Sequence, residues 1–139
     1  MEIAFDLQHV FNPLSSSLDD SEALKILLDA LIRLDLAYVR RYNPVPLYKS
    51  GVVYGRTTIW DPIPALYARG YGDCKSLSCA LVAEYLAKGI AAKPVFRFRK
   101  RAGNGGKDFH ILVMVNGERW EDPSRILGMG KDENQWFRR

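Results

Sequence analysis

The chain has 139 residues, 47% hydrophobic and 26% charged, which is the ordinary profile of one soluble globular domain. No apolar run approaches the roughly 18 residues that a membrane span needs, and residues 1–6 are acidic where a signal peptide is basic. We therefore expect a cytoplasmic protein with no membrane partner. The net charge of +4 is mild, so a nucleic-acid partner is not expected.

Two cysteines and two histidines are too few, and wrongly spaced, for a zinc site, so no metal or cofactor is expected. Cys74 and Cys79 lie five residues apart, which turns their side chains about 140° from each other on a helix and prevents a disulfide. Cys79 is expected to pack in the core, with a resolving thiol as the alternative. His9, in an apolar N-terminal segment without catalytic context, is assigned to packing or the surface.

The first element that the pattern predicts is a long scaffold helix over residues 20–42. Residues 1–16 are expected to be irregular or a short strand. Acidic residues near position 20 suit a helix start, and Asn43-Pro44 suits its end. The apolar stripe between them consists of Leu24, Leu27, Leu28, Leu31, Leu34 and Tyr38. The stripe predicts packing against the core rather than a partner groove.

Residues 44–62 read as a loop rich in proline, with a short strand at most over residues 51–55. A short helix is expected over residues 63–69, after Asp61-Pro62. Trp60 precedes it and is expected to pack over the core.

The most informative stretch is residues 70–81, with the sequence GYGDCKSLSCAL. Two glycines and an aspartate lead into Cys74, and apolar residues at helical spacing follow until Gly89 stops the helix. Cys74 is therefore placed in the first turn, where unpaired N–H groups and the helix dipole favour a thiolate. The glycines before it would let a substrate backbone approach closely. The alternative is a cysteine that is only a small buried hydrophobe.

Two strands are expected downstream of this helix, over residues 92–101 and from His110 onward, joined by a flexible loop at residues 103–106. Basic residues flank that loop, namely Arg97, Arg99, Lys100, Arg101 and Lys107. They are read as a solvated strand face, with a patch for an acidic partner as the alternative. The last residues, 131–139, are polar apart from Trp136 and Phe137, which either dock or fray.

His110 opens an apolar strand, and Asp122 closes the strand after it. A cysteine at a helix N-terminus, then a histidine and an aspartate on successive strands, is the order that a thiol triad needs. Cys74 is the candidate nucleophile, His110 the general base and acid, and Asp122 the group that orients the imidazole. The backbone N–H of Cys74 is the candidate oxyanion donor.

These motifs resemble the transglutaminase-like superfamily, and Glu121-Asp122-Pro123-Ser124 suggests its small, single-domain, phage-type members. The resemblance covers roughly residues 45–130 of a single domain over residues 1–139. It implies an α+β fold with a papain-like core, in which the helix bearing the cysteine packs on an antiparallel sheet bearing the histidine and the aspartate. In that family an upstream tryptophan can bind the oxyanion, a role open to Trp60. Ser76 departs from the pattern, since relatives often carry an acidic residue there.

The predicted reaction is acyl transfer at an amide or ester carbonyl of a peptide or protein substrate. Water as the acceptor would make the protein a cysteine protease or amidase, and an amine would make it a transglutaminase-type acyltransferase. The candidate site residues are the same for hydrolysis and for transfer to an amine, so they do not distinguish the two reactions. The alternative from another class is a non-catalytic papain-like module for binding or assembly, associated with a phage particle.

The hairpin between His110 and Asp122 sets a condition on the triad. Asn116-Gly117 is typical of a two-residue type I′ turn, which would point Asp122 away from His110, because successive residues alternate between sheet faces. We therefore predict a three-residue loop of residues 115–117, or another single-residue bulge before Asp122. A regular two-residue hairpin would leave only a Cys-His dyad.

Overall fold

The protein is described by a computed structural model over residues 20–100 and 107–130. The expectations for residues 1–16, His9, Arg101, the loop at 103–106 and residues 131–139 lie outside the described residues. Four α-helices and five strands occur within the described part. They are α1 (Asp20–Tyr42), β1 (Val53–Tyr54), α2 (Ile63–Arg69), β2 (Tyr71–Gly72), α3 (Cys74–Ala87), β3 (Ala92–Lys100), β4 (Lys107–Val115), β5 (Arg119–Glu121) and α4 (Pro123–Ile126).

The α+β class expected from the sequence is confirmed. Strands β3, β4 and β5 form an antiparallel sheet in that order, and β1 and β2 form a separate parallel pair. A short 3-10 helix, Leu47–Lys49, lies between α1 and β1. Helix α3 contacts α1 along its length and also contacts β3 and β4, so it is packed between the scaffold helix and the sheet.

Helix α3 is the centre of the core. Its residues from Ser76 to Ala83 are all buried, so it has no solvent-exposed face over two turns. The Ser78 hydroxyl donates to the Ile111 carbonyl oxygen at 3.1 Å, and the Cys79 thiol donates to the Leu28 carbonyl oxygen at 3.7 Å. These contacts hold α3 against β4 on one side and α1 on the other.

The predicted stripe of α1 is correct in part. Leu28, Leu31 and Ile32 are buried, but Leu34 is 62% exposed and was wrongly placed in the stripe. The inward position at that turn is held by Asp35, which is completely buried. Positions 28, 31, 32 and 35 follow the 3.6-residue period closely, whereas residue 34 lies about 100° from residue 35 around the helix.

The glycines before Cys74 serve the fold. Gly70 ends α2 with a φ of 84°, a left-handed conformation that glycine adopts without strain. A Cβ on Gly72 would lie 2.5 Å from the Leu66 Cδ1 atom, so a larger residue here would displace the buried Leu66 side chain of α2. These glycines therefore serve helix termination and packing, and the close approach of a substrate stays a prediction.

None of the described helices combines the length and the apolar character that crossing a membrane requires.

Candidate active site

Cys74 is the first residue of α3, as the sequence predicts. Asp73 caps the helix, since its Oδ1 atom accepts a hydrogen bond from the Lys75 N–H at 3.1 Å. The other carboxylate oxygen of Asp73 is bound by the Lys75 ammonium group. Cys74 itself is a free thiol of intermediate exposure. The cap satisfies one N–H group at the helix start, and the thiol beside it is within reach of solvent.

His110 lies on β4 and is 97% buried, with 3% of its surface exposed. Its Nε2 atom is 2.7 Å from Asp122 Oδ2. The Cys74 thiol acts on the same imidazole by hydrogen bonding. Because Nε2 is taken by Asp122, Nδ1 is the ring nitrogen that remains for the thiol. The structure thus brings together the three residues that the sequence singled out.

The environment of His110 favours its protonated form. Burial lowers the pKa of an imidazole, but the hydrogen bonds that His110 makes with the accepting Asp122 carboxylate and with Cys74, together with the charges of both groups, raise the pKa of His110 to about 9. At neutral pH the imidazole is therefore an imidazolium held between a carboxylate and a thiol. A cation in that position stabilises a thiolate.

Asp122 makes two contacts with its two oxygens. Oδ2 binds His110, and Oδ1 accepts a hydrogen bond from the Arg125 N–H at 3.3 Å, which caps α4. Pro123 follows it inside the first turn of that helix. Helix α4 therefore orients the carboxylate that in turn orients the imidazole.

The hairpin between β4 and β5 contains the extra residue that the triad requires. Val115 lies opposite Arg119, with Asn116, Gly117 and Glu118 between them. The turn is closed by the Glu118 N–H, which donates to the Val115 carbonyl oxygen at 3.1 Å. Asn116 and Gly117 both have positive φ, 55° and 71°, as in a type I′ turn. A type I′ turn followed by a bulge at Glu118 therefore joins the strands.

The predicted bulge is confirmed, but the predicted three-residue loop of 115–117 is wrong. Val115 is paired and Glu118 is the extra residue, because the type I′ turn uses Asn116 and Gly117 together. Continuing this register, Asp122 lies across from Leu112 rather than directly opposite His110. Leu112 and His110 share a sheet face, so the carboxylate still points to the histidine side.

Ser76 supports the loop that leads into the site. Its hydroxyl accepts a hydrogen bond from the Asp61 N–H at 3.0 Å, and the Asp61 carboxylate is bound by Arg69 at 2.7 Å. Trp60 packs partly buried against the core, with the Lys75 ammonium 5.5 Å from its ring centroid. These contacts fit the prediction that Trp60 packs over the core. The Ser76 hydroxyl has the Asp61 N–H as its hydrogen-bond partner.

Sequence reasoning missed two buried acids. Asp35 accepts a hydrogen bond from the Ile63 N–H at 2.8 Å and so caps α2 from a distant helix, while its Oδ2 atom has no hydrogen-bond partner in the described part of the chain. Burial raises the pKa of Asp35 to about 8. Asp35 lies seven residues after Leu28, on the apolar face of α1, and this spacing could have predicted its burial.

Glu121 is the second missed acid, and it ties three segments together beside Asp122. It accepts hydrogen bonds from the hydroxyls of Tyr48, at 2.5 Å, and Tyr85, at 2.7 Å, and pairs with Arg119 at 2.6 Å. Although burial opposes its ionisation, these partners lower the pKa of Glu121. The network joins β5 to α3 and to the loop before β1.

An open groove of about 620 Å³ lies between the C-terminal ends of α1 and α3, and its lining includes Glu84 and Lys88. None of Cys74, His110 and Asp122 lines it. Within residues 20–100 and 107–130, no three His, Cys, Asp or Glu side chains are grouped so that they could hold a metal ion.

Comparison of the chain with models of protein families, with curated proteins and with solved structures found no match.

Proposed function

We propose that this protein is a thiol-dependent acyl-transfer enzyme with a papain-like, transglutaminase-like core and a Cys74-His110-Asp122 triad. The observation that carries the proposal is the position of one buried imidazole between the Asp122 carboxylate and a thiol at the N-terminus of α3. A buried histidine with a raised pKa, paired to both groups, is typical of catalytic sites. A purely structural core has no need of such a set.

The first half-reaction follows from the geometry. The Cys74 thiolate attacks the substrate carbonyl carbon, a C–S bond forms, and the carbonyl electrons move to the oxygen. The N–H groups in the first turn of α3 have no partners within the helix, and that of Cys74 is the candidate donor to the oxyanion. When the intermediate collapses, the bond to the leaving amine or alcohol breaks and the imidazolium of His110 donates the proton.

The second half-reaction returns the enzyme to its starting state. His110, now neutral, takes a proton from water or from an amine, which attacks the thioester carbonyl. The C–S bond breaks, the acyl group leaves as an acid or a new amide, and the thiolate faces the imidazolium again. Asp122 keeps Nδ1 directed at the sulfur throughout, because it holds Nε2.

Alkylation tests the proposal without a known substrate. The folded protein is treated with iodoacetamide near pH 6 and the cysteine peptides are quantified by mass spectrometry. We expect rapid labelling of Cys74 and none of Cys79, which is buried and is an internal control for unfolding. Slow labelling of both, seen only after denaturation, would exclude an activated thiolate and favour a non-catalytic binding or assembly module.

A second measurement addresses the acyl step. Incubation with p-nitrophenyl acetate should leave an acetyl group on Cys74, detected by the mass of the intact protein, and release p-nitrophenol in a burst. Adding a primary amine then separates the two outcomes, because a transamidating enzyme forms the acetylated amine whereas a hydrolase forms acetate.

A further inference from the structure

Asp122 lies where regular structure gives it little support. Strand β5 has three residues and forms an edge of its sheet, with β4 as its neighbour. The last residue pair between these strands joins Glu121 to Val113, so Asp122 follows the end of the ladder. Helix α4 after it has four residues, about one turn. Because neither a strand nor a helix this short is stable alone, the position of the Asp122 carboxylate depends on contacts with other elements.

Glu121 makes such contacts directly before Asp122. Its side chain is 9% exposed, and its carboxylate accepts hydrogen bonds from the Tyr85 hydroxyl at 2.7 Å and the Tyr48 hydroxyl at 2.5 Å. Tyr85 belongs to α3, the helix that begins at Cys74, and Tyr48 belongs to the 3-10 helix before β1. Glu121 therefore joins the strand that leads to the orienting acid to the helix that bears the nucleophile.

The charge of Glu121 strengthens these bonds. Burial opposes the ionisation of a carboxyl group, but the two tyrosine hydroxyls and the Arg119 guanidinium, 2.6 Å away, lower the pKa of Glu121. Glu121 is therefore a carboxylate at neutral pH, and hydrogen bonds to an ionised acceptor are about twice as strong as those between neutral groups. Because Arg119 lies on the same strand as Glu121, the two tyrosines are the partners that connect β5 to other segments.

We propose that Glu121 is a positioning residue for the reaction, which keeps Asp122 against His110 by fixing the end of β5 to Tyr85 and Tyr48. The inference rests on the proposed function and gives this network a part in assembling the triad. His110 Nε2 and Asp122 Oδ2 are 2.7 Å apart. A displacement of about 1 Å would move these two atoms out of hydrogen-bond range. Loosening β5 therefore weakens the triad without removing any of its atoms.

Removing both tyrosine hydroxyls tests the proposal while the charge of Glu121 stays in place. In the double variant Tyr48→Phe, Tyr85→Phe each ring is kept. The pKa of His110, followed by NMR, should fall from about 9 by about 1, because the carboxylate beside the imidazole is held less closely. Iodoacetamide labelling of Cys74 at pH 7 should slow about threefold, because the imidazole is no longer fixed in one orientation beside the thiol.

Tyr67→Phe is the matched control. The Tyr67 hydroxyl donates to the Val45 carbonyl oxygen at 2.7 Å, so this variant also loses one tyrosine hydrogen bond. The described hydrogen bonds of Tyr67 do not reach Glu121 or the triad. Tyr67→Phe should lower the urea midpoint of unfolding about as much as Tyr85→Phe does, and it should leave the pKa of His110 and the labelling rate unchanged.

Glu121→Gln tests the carboxylate itself, with a side chain of the same size. We expect the pKa of His110 to fall by about 1 here as well, because a neutral amide holds the two hydroxyls less strongly. Circular dichroism checks that each variant is folded, and the single variant Tyr85→Phe, with about half the effect, replaces the double variant if that one is unfolded. A fall confined to Glu121→Gln would reflect the direct field of its charge on His110 and would overturn the positioning role.

NMR and labelling together separate the two proposals. An unchanged pKa of His110 in the folded tyrosine variants, with rapid labelling of Cys74, overturns the positioning role and leaves the acyl-transfer proposal standing. If the folded wild-type protein is not labelled rapidly at Cys74, the acyl-transfer proposal fails, and the positioning role for its reaction fails with it. Equal falls in the pKa of His110 in Tyr67→Phe and in the double variant reflect lost stability alone and also overturn the positioning role.

Discussion

Helix α3 carries two thiols, and each has an aspartate in its electrostatic surroundings, yet the two regions are chemically opposite. Cys74 is partly exposed and shares the buried imidazole of His110 with Asp122. Cys79 is fully buried, contacts the Leu28 carbonyl oxygen, and has Asp35 as its strongest charged neighbour. No histidine lies between the second pair among the contacts described.

The difference lies in which protonation states each region stabilises. Burial, with the charge of Asp35 added, raises the pKa of Cys79 well above its usual value, so this thiol stays neutral. Burial also raises the pKa of Asp35, so this acid is neutral at neutral pH. At the other site the raised pKa of His110 places an imidazolium beside Asp122 and Cys74. Among the described contacts, the two thiols therefore differ in that only Cys74 has an imidazole beside it.

The largest expected effect comes from removing each thiol in turn and comparing the two variants. Cys74→Ala should abolish acyl transfer and labelling near pH 6, a loss of about a thousandfold or more, with the fold retained because the residue is at a helix end. Cys79→Ala should keep the labelling of Cys74 and cost about 1 kcal/mol in the free energy of unfolding, measured with urea. The opposite pair of phenotypes would identify Cys79 as the nucleophile.

Deleting Glu118 is expected to have the next largest effect. The deletion leaves a two-residue turn at Asn116 and Gly117, moves Asp122 to the other sheet face, and removes the carboxylate from His110. The labelling rate of Cys74 at pH 7 should fall about a hundredfold. Glu118→Ala, which keeps the register, is the control and should label like wild type.

If the deletion variant folds and its His110 resonance still titrates near pH 9, the hairpin register does not determine whether the Asp122 carboxylate reaches His110.

Asp122→Asn removes the negative charge of the side chain and keeps its size and position. Asparagine can still cap α4, but the pKa of His110, followed by NMR, should fall from about 9 toward or below its usual 6.5, because burial then dominates. We expect iodoacetamide labelling at pH 7 to slow about tenfold.

The same substitution has a consequence for stability. A pKa that is higher in the folded than in the unfolded protein stabilises the fold fully below pH 6.5, and this contribution disappears as pH rises through about 9. Wild type should therefore lose stability between these values, whereas Asp122→Asn should show a flatter profile. Parallel profiles for the two proteins would contradict the assignment of the shift to Asp122.

The smallest effect is expected at the inert site, through Asp35→Asn. Because the pKa of Asp35 is raised in the folded state, its contribution to stability is fully present below about pH 4 and is lost as pH rises toward 8. The amide can still accept the Ile63 N–H and does not ionise. It should therefore stabilise the protein by about 1 kcal/mol at pH 8 and by less at pH 5.

Asp29→Asn is the control for this prediction, since Asp29 lies on the exposed surface of the same helix, with 62% of its side chain exposed. It should show no pH-dependent gain. If Asp35→Asn is destabilised equally at both pH values, the carboxyl group is needed for packing, and its ionisation does not reduce the stability of wild type.

Local signals in the sequence predicted the elements that bear the site. Pro62 and Gly70 bracket α2, and Asp73 and Gly89 bracket α3, because capping groups and left-handed glycines act within a few residues. The residue types at positions 74, 110 and 122 indicated the candidate triad for the same reason. Each observation depends on neighbours along the chain.

Contacts between distant segments could not be predicted in this way. Asp35 caps α2 across a gap of 28 residues, and Glu121 binds Tyr48 across 73 residues. The periodicity placed Leu34 in the core because every leucine suits an apolar stripe, whereas the surrounding elements determine which side of α1 is covered.

The sequence by itself determined the positions of α1, α2 and α3 and the residues offered as nucleophile, base and orienting acid. Only the tertiary structure decided that Glu118 is the extra residue of the hairpin, that His110 meets both Cys74 and Asp122, and that two distant tyrosines meet at Glu121. The physical reason is that caps and periodicity are local, whereas strand register and burial depend on the free energy of the whole packed chain. A shift of one residue between β4 and β5 would preserve every local preference and still separate Asp122 from His110.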